Sequence, residues 1–199
     1  GCTVRRTYKT GLRFDGYKGL ISHCEFYTIG GDGIDMGGGD AKKLLPSESE
    51  ISDTVFHDFG EVFRVYNGGV FLRGRGIKCI HNEFYNAPHL AMSISGSDLD
   101  IRYNCIHNVC YEANDAGAVY LGGWAPQDII RDVKNIYGTG YPNGYYNDDG
   151  GGGKTVRSNL FININGNAFA MGGGRDNIIE DNIMVNTRLS YDERLYYDQ

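Results

Sequence analysis

Seven times along this chain a small residue is followed by the same short cadence. Gly11, Gly33, Gly69, Ala91, Ala118, Gly144 and Ala168 each precede an apolar side chain, a variable one and usually a second apolar one, as in Ile34-Asp35-Met36, Val70-Phe71-Leu72 and Val119-Tyr120-Leu121. Alternation of this kind is β-strand periodicity, and its return at a fixed landmark marks a solenoid. One such unit cannot bury its apolar face alone, so successive units must stack.

A second landmark precedes each strand: an apolar residue, two others, then Asn, Cys or Thr, one more, and another apolar residue. It reads Ile21/Cys24/Phe26, Ile51/Thr54/Phe56, Cys79/Asn82/Phe84, Ile101/Asn104/Ile106, Val156/Asn159/Phe161 and Ile179/Asn182/Met184, with Cys2-Thr3-Val4 as the tail of an earlier copy. Cys2 to Cys24 and Asn82 to Asn104 are each 22 residues, and Asn159 to Asn182 is 23. The 30 residues from Cys24 to Thr54 mark a coil with a loop insertion. A degraded copy around Ile130 and Val133 is placed by interval.

This period is too short for a helix pair, and a leucine-repeat scaffold is absent. Thirty glycines among 199 residues suit tight turns. The expected fold is all-β, a parallel β-helix of about 22 or more residues per coil whose inward side chains stack on their equivalents above and below. Stacked Asn residues would hydrogen-bond along the axis, with Cys2, Cys24 and Thr54 continuing the column. The small residues, read on outward parity, would line a shallow trough suited to a linear polymer. Residues 1–199 are expected to be interior coils of one longer β-helix domain, lacking terminal caps and poorly soluble if expressed alone.

A net charge of −6 with dispersed Lys and Arg argues against a nucleic-acid partner. No stretch has the apolar length of a membrane span. The five cysteines do not fix a compartment; Cys105 and Cys110 could pair across a turn. No metal site is expected, because that pair lacks a second one and His107 lacks a matching partner. Asp32, Asp35 and Asp40 read as a solvated turn rather than a calcium site, and the glycine runs as β-helix turns rather than phosphate loops.

Two acidic segments carry the candidate chemistry. Glu112 and Asp115 precede the strand that holds Tyr120, and Asp148 and Asp149 leave the equivalent strand one coil later. Paired carboxylates are what glycosidic cleavage needs, one as acid and one as nucleophile or base. On a straight strand Asp115 and Asp148 stand too far apart, so a bend near Asn114 is required. His89 breaks its column and is the functional histidine, whereas His57 and His107 share a column with Tyr27 and Tyr85 and read as structural. Tyr120, Tyr146 and Trp124 would contact sugar faces, with Asp35 and Arg73 beside them in the outward columns.

Through Asn114-Asp115-Ala116-Gly117-Ala118-Val119-Tyr120, His57-Asp58, Asn86-Ala87-Pro88-His89 and Tyr146-Asn147-Asp148-Asp149-Gly150, the chain resembles bacterial right-handed parallel β-helix carbohydrate-active proteins of the pectate-lyase-like superfamily. The resemblance runs from about Cys2 to Asn186 and is nearest to β-helical glycoside hydrolases such as family 141, which includes α-L-fucosidases and xylanases. It departs at Gly122-Gly123-Trp124, where relatives carry Arg-Asp-Trp. The resemblance implies a secreted or cell-surface enzyme that cleaves plant or host glycans with two aspartates, Asp115 and one of Asp148 or Asp149, supported by His89 and Glu112 and needing no cofactor. Two other readings stay open: a calcium-assisted polysaccharide lyase acting on uronate polymers, with Arg73 or Arg75 as base, and a non-catalytic glycan-binding adhesin or tail fibre.

Overall fold

The computed structural model describes residues 1–96, 98–113, 116–122, 129–131, 143–148, 155–157, 160–162, 167–171, 178–181, 183–185 and 188–193. Among these there are strands and turns and no helix, and every strand pair is parallel. Successive coils supply strands in rotation to three long sheets. The first sheet stacks five, Thr3–Thr7, Glu25–Ile29, Val55–Phe59, Glu83–Ala87 and Cys105–Val109. The second stacks eight, from Leu12–Asp15 through Gly117–Gly122 and Asn143–Asp148 to Arg188–Glu193. The third stacks seven, from Leu20–Ser22 to Ile178–Glu180, and Leu160–Ile162 pairs with Ile183–Val185 apart from these.

Register follows the sequence landmarks residue by residue. Leu12, Ile34, Val70, Met92, Val119, Tyr145 and Phe169 are consecutive partners in the second sheet. Ile21, Ile51, Cys79, Ile101, Ile130, Val156 and Ile179 are partners in the third, so the degraded copy keeps its place at Ile130.

Two columns of left-handed backbone bend each coil. Arg6, Thr28, Asp58, Asn86 and Asn108 occupy one position of the first-sheet strands, with φ between 51° and 56°. His23, Asp53, His81, Tyr103 and Asp181 occupy the other, with φ between 48° and 57°, each just before the Asn, Cys or Thr landmark. Asn, Asp and His tolerate this conformation better than most side chains, and seven of these ten positions hold one of them. The first bend breaks strict alternation: Phe26 and Ile29, three apart, are both buried, as are Phe56 with Phe59 and Phe84 with Ala87.

The landmark column is a hydrogen-bond ladder in which each coil serves the one before it. The Cys24 N–H donates to Thr54 Oγ1 (3.3 Å), Thr54 N–H to Asn82 Oδ1 (3.1 Å), and Asn82 N–H to Asn104 Oδ1 (3.0 Å). The amides also donate, Asn82 Nδ2 to the Ile51 carbonyl at 3.0 Å and Asn104 Nδ2 to that of Cys79 at 2.9 Å. Buried polar groups at this corner are thereby satisfied.

The small column corrects the expected trough. Ala91 and Ala118 are fully buried, and a Cβ built on Gly33 or Gly69 would meet Phe56 Cδ1 at 2.9 Å or Phe84 Cδ1 at 2.5 Å. These residues are small because a corner turns them inward, against the stacked phenylalanines of the first sheet. Phe26, Phe56 and Phe84 stack at 5.2 and 4.8 Å, centroid to centroid, with planes 18° and 4° from parallel. Strand alternation read across a corner assigns the wrong face, since the bend places two consecutive residues, Gly33 and Ile34, on the inside.

Candidate functional site

The 28-residue interval between Thr54 and Asn82 contains an insertion at 60–68 that reaches across neighbouring coils. Its base is held by backbone: the Gly60 N–H donates to the Gly31 carbonyl at 3.1 Å and Phe63 N–H to that of Gly30 at 2.7 Å. Its far end is held by Arg64, whose guanidinium takes both carboxylate oxygens of Glu112, with Nε to Oε2 at 2.6 Å. Two residues past Arg64, Tyr66, 57% exposed, leans over the outer face of the second sheet.

There the insertion assembles an aromatic array. Tyr66 lies 5.0 Å from the His89 ring and 5.8 Å, edge to face, from Tyr120, which in turn meets Tyr146 at 5.4 Å. Tyr120 and Tyr146 are register partners on adjacent strands, so their contact follows from the pairing of Gly117–Gly122 with Asn143–Asp148. Tyr120 is half-buried, while Tyr146 and His89 are each 4% exposed. Tyr66 and Arg64 escaped the sequence reading. The signal that could have found them was the long interval itself, with an aromatic and a cation inside it.

Three of the predicted site residues thus meet in this array: His89, Tyr120 and Tyr146. Glu112 stands beside it as the anchor for Arg64, and that ion pair pulls its carboxyl below the usual range, the opposite of what a general acid at neutral pH needs. Asp115, Asp149 and Trp124 lie outside the described residues, as does the side chain of Asp148. The backbone of Asp148 pairs with Gly122, five residues along the strand from Gly117 and roughly 16 Å away at the rise of an extended chain.

Asp35 and Arg73 stand elsewhere, on the earlier coils of the second sheet, and are engaged with each other. Arg73 Nε donates to Asp35 Oδ1 at 2.5 Å and its Nη1 to Asp15 at 3.0 Å, while Arg13 Nε donates to Asp35 Oδ2 at 2.8 Å. Gly37 makes the longer reach open, because a Cβ there would lie 2.8 Å from Arg73 Nη1. Asp35, 5% exposed, is the buried hub of a charge lattice. The hydrogen bond to Asp35 raises the Arg73 pKa further, which makes this guanidinium a poorer proton-abstracting base. Arg75 is likewise bound to Asp98. Asp32 accepts from the Gly68 N–H at 2.9 Å and Asp40 from those of Lys42 and Lys43, so the three aspartates weighed for calcium serve three separate structural tasks.

On the outer face of the first sheet, Tyr27, His57, Tyr85 and His107 stack at 5.1, 4.9 and 5.0 Å with planes within 8°. His57 Nδ1 lies 2.7 Å from Asp58, and His107 Nε2 lies 3.0 Å from Glu83. Both histidines stand in the column that the sequence marks, and His107 does have a partner, supplied by the coil before it. Cys105 and Cys110 are not joined in a disulfide, and Cys110 is buried with its pKa pushed up by desolvation.

Comparison with known proteins follows the same lines. No curated protein sequence matches the chain. Among solved structures, one called a glycoside hydrolase superposes with a TM-score of 0.58 at 21% identity, over 90% of this chain and 34% of its own, so the chain spans about a third of that protein's length. No helix among the described residues is long and apolar enough to cross a membrane. A family profile described as the right handed beta helix region matches residues 1–182, nearly the whole chain, and with the stacked coils seen in the structure it shows that this protein belongs to the right-handed β-helix family.

Proposed function

We propose that this chain carries the glycan-binding and cleaving face of a secreted or cell-surface glycoside hydrolase acting on plant or host glycans. The observation that carries the reading is the array of Tyr66, His89, Tyr120 and Tyr146, built by an insertion that two anchors hold against the second sheet. An exposed tyrosine with a polar ring beside it offers what a pyranose presents in return, an apolar face rimmed by hydroxyls. The chain segment that leads from Glu112 through Asp115 enters the strand bearing Tyr120. A fold likeness to a protein called a glycoside hydrolase is consistent with this.

In this reading Asp115 is the acid, and Asp148 or Asp149 the nucleophile or base. For the two carboxyls to meet, the chain before Gly117 must fold back along the strand. Glu112 acts through Arg64, as the anchor of the insertion, and His89 orients the acid. The test is release of reducing ends from fucosylated oligosaccharides, xylan and pectins. Asp115→Asn is expected to lower turnover by about 10²–10⁴-fold, and product stereochemistry reports the carboxyl separation, about 5–5.5 Å for retention and about 6.5–9.5 Å for inversion. Unchanged turnover in both Asp115→Asn and Asp148→Asn overturns the aspartate assignment. Glycan binding with no release in any of these assays replaces the enzyme with a binding β-helix.

A further inference from the structure

The outer column of the first sheet holds two histidines whose neighbours differ: His57 lies between Tyr27 and Tyr85 with Asp58 at its Nδ1, whereas His107 stacks on Tyr85. His57 and His107 each stack on Tyr85, and each has a glutamate from the preceding coil within reach, Glu25 at 3.5 Å and Glu83 at 3.0 Å. Two residues before His57 the strand carries Val55, whereas two before His107 it carries Cys105. Residues two apart share a face of a strand, so the thiol lies on the same side as the imidazole. Cys105 is also the register partner of Glu83, as His107 is of Tyr85.

From this we infer that Glu83, Cys105 and His107 form a binding site for a divalent transition metal of the zinc class, with solvent in the fourth position. A carboxylate oxygen, a thiol sulfur and a ring nitrogen from these residues all lie within 4.8 Å of one another. Tetrahedral zinc binds such atoms at about 2.0–2.3 Å, which sets them about 3.3–3.7 Å apart. Closing from one spacing to the other needs only side-chain torsions on two strands already locked in register. Stacking on Tyr85, with planes 8° apart, fixes the imidazole plane while its Nε2 points at Glu83. Orientation of a ligating histidine by its surroundings is what raises affinity at such sites. The donor set of one thiolate, one imidazole and one carboxylate suits zinc better than calcium or magnesium, which take oxygen ligands. The site belongs to a different sheet from the aromatic array and does not depend on the glycan reading.

The experiment titrates Zn²⁺ and Co²⁺ into the protein carrying Cys2→Ser, which removes the exposed thiol as a competitor. One equivalent is expected to bind in the micromolar range or tighter, and bound Co²⁺ should show the intense near-ultraviolet absorption of a thiolate ligand. Glu83→Gln, Cys105→Ser and His107→Gln should each weaken binding at least tenfold, and Cys105→Ser should abolish the absorption, while His57→Gln leaves both unchanged. Zn²⁺ should also protect Cys105 from alkylation, read by peptide mass in the unsubstituted chain, so the inference stays testable if a variant fails to fold. Absence of saturable binding, or binding that survives any of the three substitutions at full strength, overturns it.

Discussion

Two aromatic columns run through the same strands of the first sheet, back to back. On the inner face Phe26, Phe56 and Phe84 stack in a dry core; on the outer face Tyr27, His57, Tyr85 and His107 stack among carboxylates. The two spacings are nearly the same, because the coil rise and not ring chemistry sets them. What the faces lack in common is environment. A phenyl ring inside gains dispersion and loses contact with water, whereas a ring outside keeps its polar edge wet and gains much less. Stability should therefore reside on one side of this sheet and titratable, ligand-capable chemistry on the other.

The sharpest way to break that comparison is to truncate one ring on each face. Phe56→Ala should cost about 3–5 kcal/mol, since it opens a cavity between Phe26 and Phe84. His57→Ala, one residue along, should cost under about 1 kcal/mol. Chemical denaturation midpoints of the two variants decide it; equal losses would show that the outer stack is as much a core as the inner one.

Next in size comes the corner that closes the inner face. Asn82→Ala removes the acceptor of the Thr54 N–H and the donor to the Ile51 carbonyl, and is expected to cost about 3 kcal/mol by leaving buried groups unpaired. Asn82→Asp should recover little of it, because the carboxylate has no proton for that carbonyl. Gly69→Ala follows at about 1–3 kcal/mol, from the clash of its Cβ with Phe84. Adding Phe84→Leu should relieve part of that cost, and a merely additive double variant in the same unfolding assay would sever the small column from the inner stack.

Why some of this was legible in the sequence, and some not, comes down to how local each signal is. Register was legible because a strand that slips by one residue puts Ile34 or Val70 into water, so the apolar cadence is the register. Ile130 could even be placed by counting. The face taken by Gly33, Gly69 and Ala91 was not, since it depends on a bend angle that spacing does not carry. The partners of Arg64 and His107 lie 48 and 24 residues away along the chain, on other coils. A column names its own members, but not the side chains of the next coil that lean toward them. Three of the four members of the aromatic array were visible for the same reason: Tyr120 and Tyr146 sit in a column and His89 breaks one, whereas Tyr66 sits in an insertion.

The smallest expected effect tests whether charge on the outer shell touches stability at all. Burial raises the Asp32 pKa, against the lowering effect of the Gly68 N–H. The folded chain then holds this proton more tightly than the unfolded one, so stability is favoured in acid and falls as pH rises from the ordinary aspartate range through the raised value. Asp32→Asn keeps an acceptor for Gly68 and removes the charge. It should melt slightly higher than the parent at pH 7, with the difference vanishing towards pH 3. A constant offset across that range would mean that burial of the charge is not the cause.

The ladder from Cys24 through Thr54 and Asn82 to Asn104 also bears on how such a chain can change its length. Each rung completes the coil before it, so a segment cut at two equivalent rungs leaves ends that match: the Thr54 N–H could donate to Asn104 Oδ1 as it does to Asn82 Oδ1. Duplication or loss of one whole repeat therefore costs a gene little, whereas gain or loss of a single codon within a strand turns the later side chains of that strand to the opposite face. Growth in such a lineage should proceed in whole coils, with novelty confined to the corners, where the insertion at 60–68 already sits.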